Sequence, residues 1–184
     1  MGLKRSTTAA LLVAMLALTV GSVTAAADPV TAPPPQPSAL PPAAAPLALF
    51  TLTTIPDSWQ SRVDLRPQLE IFSDGKAVKI PDAVAADRAP DVPPGRISGH
   101  VPPEVLTAAL AETRSLVAVD LGVPTATDQG SQIIDCMSQP PNEDVHLVVY
   151  APQATEGLGA EQQAGRKRFA DLYQKLLDAF VQDN

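Results

Sequence analysis

The chain has little of what most small-protein chemistries are built from: one cysteine, two histidines, one tryptophan, two tyrosines, four phenylalanines and no excess of basic charge in 184 residues. Because Cys136 is alone, an intramolecular disulfide is excluded, and stability must come from an ordinary apolar core. There is no His-x-x-His and no second cysteine, whereas a zinc site takes about three protein ligands, so no metal site is expected. Gly-x-Ser-x-Gly, a phosphate-binding P-loop and Gly-x-Gly-x-x-Gly are also missing, which removes the common scaffolds for acyl transfer and for nucleotide cofactors. No cofactor is expected. The net charge of −7 disfavours phosphate backbones and anionic lipid, so nucleic acid is not an expected partner.

The apolar stretch from Ala9 to Val20 has 12 residues, whereas crossing a bilayer core as a helix takes about 20. It follows Lys4 and Arg5 and precedes Ala25-Ala26-Ala27, which is the basic, apolar, small order of a secretory signal. Residues 1–27 are therefore expected to be cleaved after Ala27, leaving Asp28 first, with no nearby cysteine to carry a lipid. The expected location is secreted or cell-envelope associated, without a stable transmembrane anchor. Losing two basic and no acidic residues takes the charge from −7 to −9.

In the next segment, 28–46, 8 of 19 residues are proline and Asp28 is the single charge. Repeatedly fixed φ and missing amide donors prevent helix or sheet from propagating, so a disordered, extended Pro/Ala-rich linker is expected. Pro34 to Pro37 matches PxxP, but such a pattern is nearly unavoidable in a proline-rich run. Residues 47–184 then have the size of one domain, able to bury about two-thirds of the surface of the unfolded chain.

Within that domain, Leu47 to Ile55 alternates enough to predict a strand. Gln68 to Phe72 and Lys76 to Ile80 flank Asp74-Gly75 as a hairpin. Residues 82–100 hold three prolines and two glycines and read as a surface loop. Pro102 and Pro103 open a helix to about Ser115, with Leu106, Ala109, Leu110 and Thr113 as its buried stripe. Gln132 to Met137 and Val145 to Tyr150 form a second hairpin, joined through Pro140-Pro141-Asn142. Phe169, Leu172, Tyr173, Leu176, Leu177 and Phe180 fall on one face of a C-terminal helix. Two hairpins and two amphipathic helices without βαβ alternation predict an α+β fold: an antiparallel sheet from two hairpins and an N-terminal strand, with both helices packed on it.

This order of pieces resembles a group of small exported actinobacterial proteins with no known activity. The resemblance rests on Leu69-x-Ile71-x-x-Asp74-Gly75, on Asp120-Leu-Gly-Val-Pro-Thr-Ala-Thr-Asp128-Gln-Gly130, on Val145 to Tyr150 and on Gln162 to Leu177. It implies an exported domain and no particular activity.

Several side chains invite a functional role and have a structural alternative. Asp120, Thr127 and Asp128 carry oxygens for a ligand or Ca²⁺, yet Asp, Thr, Gly and Pro are also what an irregular helix-to-strand connection uses. If residue numbers paired across the second hairpin sum to 282, Cys136 meets His146 as a thiol–imidazole dyad. A one-residue slip sets Cys136 against Leu147 and Ile134 against Val149, buries more hydrocarbon and is the expected register, with Cys136 an inert core residue. Arg166-Lys167-Arg168 and Glu143-Asp144 read as solvated charge, and Trp59 as the cover of one end of the core.

Together these features predict an exported non-catalytic domain that binds a protein or small molecule of the cell envelope or extracellular medium. Two alternatives make distinct demands. A small-molecule or lipid carrier needs an apolar cavity larger than about 300 Å³. A hydrolase or isomerase using His146 with Asp135 or Asp144 needs that histidine in a cleft beside a carboxylate.

Overall fold

The computed structural model describes residues 47–184 apart from residue 60, residue 90 and 139–142. The expected signal and linker, and the Pro140-Pro141-Asn142 connection, lie outside the described residues. Seven strands, β1 (Ala48–Ile55), β2 (Leu69–Phe72), β3 (Lys76–Lys79), β4 (Ile97–His100), β5 (Ser131–Cys136), β6 (Val145–Tyr150) and β7 (Val181–Gln182), alternate with two helices, α1 (Pro103–Leu116) and α2 (Ala160–Asp178). The strands form one antiparallel sheet in the order β6-β5-β1-β2-β3-β4-β7. This is the α+β architecture expected from the two hairpins, the N-terminal strand and the two helices. No helix among the described residues is long and apolar enough to cross a membrane.

The period-2 pattern of β1 sends Phe50 and Leu52 to one side of the sheet and Thr51 and Thr53 to the other. At the β2–β3 turn Gly75 takes φ +83°, which a Cβ would oppose, and Asp74 Oδ1 accepts from the Lys76 amide at 3.0 Å. Helix α1 starts where Pro103 needs no amide partner, and Glu104 lies in its positively polarised first turn.

One face of the sheet carries the core. Phe50, Leu52, Leu69, Ile71, Ile134, Leu147 and Val149 meet Leu106, Ala109 and Leu116 of α1 and Phe169, Leu172, Tyr173 and Leu176 of α2. Each fully buried Leu, Ile or Phe side chain contributes about 1.5–3 kcal/mol of transfer free energy, so this layer is the main stabilising element. At its heart the Tyr173 hydroxyl donates to Gln68 Oε1 and is paired with Thr54 Oγ1, both at 2.9 Å. Burial pushes the phenol up to about 12, against a smaller opposing effect of Thr54.

Five expectations are corrected. Residues 82–100 are not all loop, because Ile97–His100 adds to β3 as β4. The sheet also gains β7, which pairs Val181 with His100 and Gln182 with Gly99. Phe180 is not on the C-terminal helix: α2 ends at Asp178, and the Phe180 ring turns back over Gly99, where a Cβ would meet it at 2.6 Å. Leu110 and Leu177 are only partly buried. In the second hairpin Cys136 pairs with Val145, Ile134 with Leu147 and Asp135 with His146. That differs by two residues from the expected register and by one from the dyad register. It pairs all six residues of both strands and continues into a bond from the Ala151 amide to Gly130 O at 2.8 Å. Cys136 stays in the core, as expected, and its thiol is pushed up chiefly by burial.

Candidate functional site

With both helices on one side, the other side of the sheet carries a mixed row that crosses six strands. Successive pairings align His146, Asp135, Thr51, Glu70, Val78 and Ser98. A second row joins Val148, Ile133 and Thr53. Val148 is 45% exposed, while the threonines, Ile133, Phe72 and Val78 are half-buried. An antiparallel sheet with one solvated face normally places polar residues there. Here Phe72, Val78, Ile133 and Val148 interrupt that pattern.

Toward the β4 side the surface sinks into a hollow of about 550 Å³ bordered by Phe72, Lys76, Val78, Ser98, His100 and Asp183. Phe72 and Val78 give it apolar walls. Its rim is ionic: His100 Nδ1 lies 3.2 Å from Asp183 Oδ1, and Lys76 Nζ donates to Asp74 Oδ2 at 2.7 Å. The Lys76 ammonium holds the Asp74 carboxyl below its ordinary range. Apolar walls with a few polar groups at the edge suit a ligand that has both kinds of surface.

The sequence-predicted oxygens fall elsewhere. Asp120 directs Oδ1 to the Gly122 amide and Oδ2 to Gln162 Nε2, both at 2.8 Å, and these bonds hold its carboxyl below the usual range. Gln162 in turn accepts from the Gly159 amide at 3.0 Å, closing the start of α2. Asp120 is thus a fastening between the α1–β5 connection and α2. Thr127 accepts from Gln129 Nε2 through its backbone oxygen at 3.2 Å, and Asp128 takes a left-handed φ of 55°. Both are exposed, and among the described residues no group of three His, Cys, Asp or Glu side chains is placed to hold a metal.

Arg166 corrects the reading of the basic triplet. It is 5% exposed, and its guanidinium donates to Tyr150 O at 2.6 Å, Ala151 O at 2.5 Å, Leu121 O at 3.3 Å and Gly122 O at 3.4 Å. Burial lowers its pKa from the ordinary arginine value. Lys167 and Arg168 remain outside, paired with Asp171 and Glu112. Arg166 precedes Phe169 by three residues and Tyr173 by seven, so it extends the buried stripe by one turn, a signal the triplet obscured.

Trp59 is buried outside the main core cluster, in the β1–β2 connection. Arg62 lies 4.2 Å from its ring centroid and Arg88 5.5 Å. Both arginines pair with Asp64, at 2.6 Å and 3.2 Å, and the Arg62 hydrogen bond is the leading reason its carboxyl falls to about 2. Trp59 is therefore buried in the packing of a connecting loop, not as the expected cover of one end of the main core.

His146 has a carboxylate partner, since Nδ1 meets Asp135 Oδ1, but its side chain is 63% exposed at the sheet edge. The pair therefore stands open to solvent, whereas the hydrolase or isomerase reading asked for a histidine in a cleft. Neither a family model, nor a curated protein, nor a solved structure matches the chain.

Proposed function

We propose that the chain is an exported, non-catalytic binding domain of the cell envelope or extracellular medium, and that it recognises its partner with the helix-free face of its sheet. The observation that carries this reading is the asymmetry of the sheet: one face lies under α1 and α2, while the other carries half-buried Phe72, Val78 and Ile133 and exposed Val148, with Phe72 and Val78 lining a hollow of about 550 Å³. The signal-like segment 1–27 and the proline-rich segment 28–46 support export on a tether. The resemblance to exported actinobacterial proteins agrees with it. An extended protein segment could set side chains between Phe72 and Val78 and its polar groups on His100, Asp183 and Lys76.

A carrier of small amphiphilic molecules is the second reading, favoured by the volume of that hollow, which exceeds the roughly 300 Å³ such a ligand needs. The space between sheet and α2 is not available to it, because Phe169 and Leu176 are fully buried in a filled core.

A native mass spectrum of the chain recovered from the producing cell's medium and envelope tests both. The expected species begins at Asp28 and carries a partner that is lost in Val78→Arg. A chain that keeps Met1 and stays inside the cell would contradict export. A co-purifying small molecule lost in the same variant would favour the carrier.

A further inference from the structure

We infer that β6 is a self-association edge, through which two copies of this chain join their sheets. β6 ends the sheet, pairing with β5 on one side and with nothing among the described residues on the other. The Ala151 amide bonds to Gly130 O, so alternation along the ladder turns the backbone groups of 145, 147 and 149 toward β5. Those of His146, Val148 and Tyr150 face outward.

Edges of this kind are usually guarded by charge, proline or a bulge. Val145-His-Leu-Val-Val-Tyr150 has no proline and no lysine or acid, pairs without irregularity, and exposes Val148. One outward group is already used, since Tyr150 O accepts from Arg166. That disfavours a pairing centred on Val148, in which His146 would have to bond the second copy's Tyr150. A two-fold antiparallel pairing in which residue numbers sum to 294 bonds His146 to the second copy's Val148, and Val148 to its His146. The Tyr150 carbonyl stays with Arg166. Leu147 then faces its own copy, and Val145 faces the second copy's Val149, so the apolar faces of both sheets stay on one side.

The ends of the strand are complementary in charge. Among the described residues Arg166 is a buried cation whose partners are four carbonyls and no carboxylate. In this register Glu143, which also pairs with Arg114 of its own chain at 2.5 Å, and Asp144 of the second copy come opposite Ala151 and Tyr150, whose carbonyls Arg166 binds. A hollow of about 560 Å³ lined by Arg114, Val117, Glu143, Asp144 and Val145 lies at the other end, where the second copy's Ala151 arrives. A second copy fits better than an unrelated peptide, because each copy brings both an acidic end, Glu143 and Asp144 just before β6, and a cationic end, where Arg166 of α2 lies beneath the carbonyls at the close of β6.

Sedimentation equilibrium of the full chain from 5 to 200 μM, with circular dichroism of each variant, is the test. The wild type is expected at twice the chain mass at the upper concentrations. Val148→Lys is expected to raise the dissociation constant at least tenfold with an unchanged spectrum, because the free edge gains a charge without touching the ladder to β5. Val148→Pro, which removes one outward amide, should behave alike, and Glu143→Lys should weaken the dimer several-fold. A wild type that stays monomeric at 200 μM would overturn the inference, as would a dimer indifferent to Val148→Lys. Uptake of an extended peptide by a chain that never dimerises would assign the edge to a different partner.

Discussion

Replacing Arg166 with alanine isolates the least expected feature of the fold. The side chain is buried and makes four hydrogen bonds, two of them short, that join the α1–β5 connection to the end of β6. A hydrogen bond from a charged group contributes about 1.5–3 kcal/mol, and each buried carbonyl left without a partner costs about 1–3 kcal/mol. The bonds at 3.3 and 3.4 Å to Leu121 and Gly122 are weak, and water can replace them where the connection is partly exposed. Counting the two short bonds and allowing for the desolvation of the cation, Arg166→Ala is expected to cost about 3 kcal/mol. For a domain of this size that is a fall of about 10 °C in Tm. Urea and thermal unfolding followed by circular dichroism measure it. Arg168→Ala, which breaks an exposed pair with Glu112, is the control and should cost under about 1 kcal/mol. Hydrogen exchange should quicken at residues 120–130 in the Arg166 variant and not in the control. If both substitutions cost the same small amount, the assignment of Arg166 as the fastening of this connection is wrong.

Three further outcomes follow from the core. Cys136 should react with a thiol reagent at less than a tenth of its rate in denaturant, because the side chain is buried and burial pushes its thiol up; a fast native reaction would contradict this packing. Tyr173 should ionise only at about pH 12 in an ultraviolet titration. The unfolded chain loses that proton near pH 10, ahead of the fold, so stability should fall between pH 10 and 12 by about 3 kcal/mol, a loss that Tyr173→Phe removes. In Gly99→Ala the new methyl would collide with the Val181 backbone oxygen and with the Phe180 ring, so β7 should detach at a cost of about 1–3 kcal/mol, and Phe180→Ala in the same chain, which leaves the backbone clash, should recover little of it.

The layers of the fold were legible where local pattern and tertiary need agree. Asp74-Gly75 carries its own turn chemistry, and the period of Phe169, Leu172, Tyr173 and Leu176 admits one buried face. β4 was hidden because Ile97-Ser-Gly-His has little strand propensity; β3 on one side and Phe180 over Gly99 on the other hold it in the sheet. The hairpin register was not fixed by alternation, since a shift of two residues keeps every side chain on its face, and the Gly130–Ala151 bond beyond the strand ends decides it. Asp120 drew attention as an oxygen donor because sequence cannot show that Gln162, 42 residues later, takes up its second oxygen. The helix-free face was less legible still. Thr51, Glu70, Val78 and Asp135 come from four strands, and pairing alone puts them in one row.

The central claim, that recognition takes place on the helix-free face, is tested most directly by photo-crosslinking in the producing cell. A photoreactive residue would replace Phe72, Val78 or Thr51 on that face, and Ala108 or Lys175 on the helical side. The account predicts a discrete adduct from the first three positions, absent from the last two. Adducts confined to Ala108 and Lys175 would place recognition on the helices and contradict it.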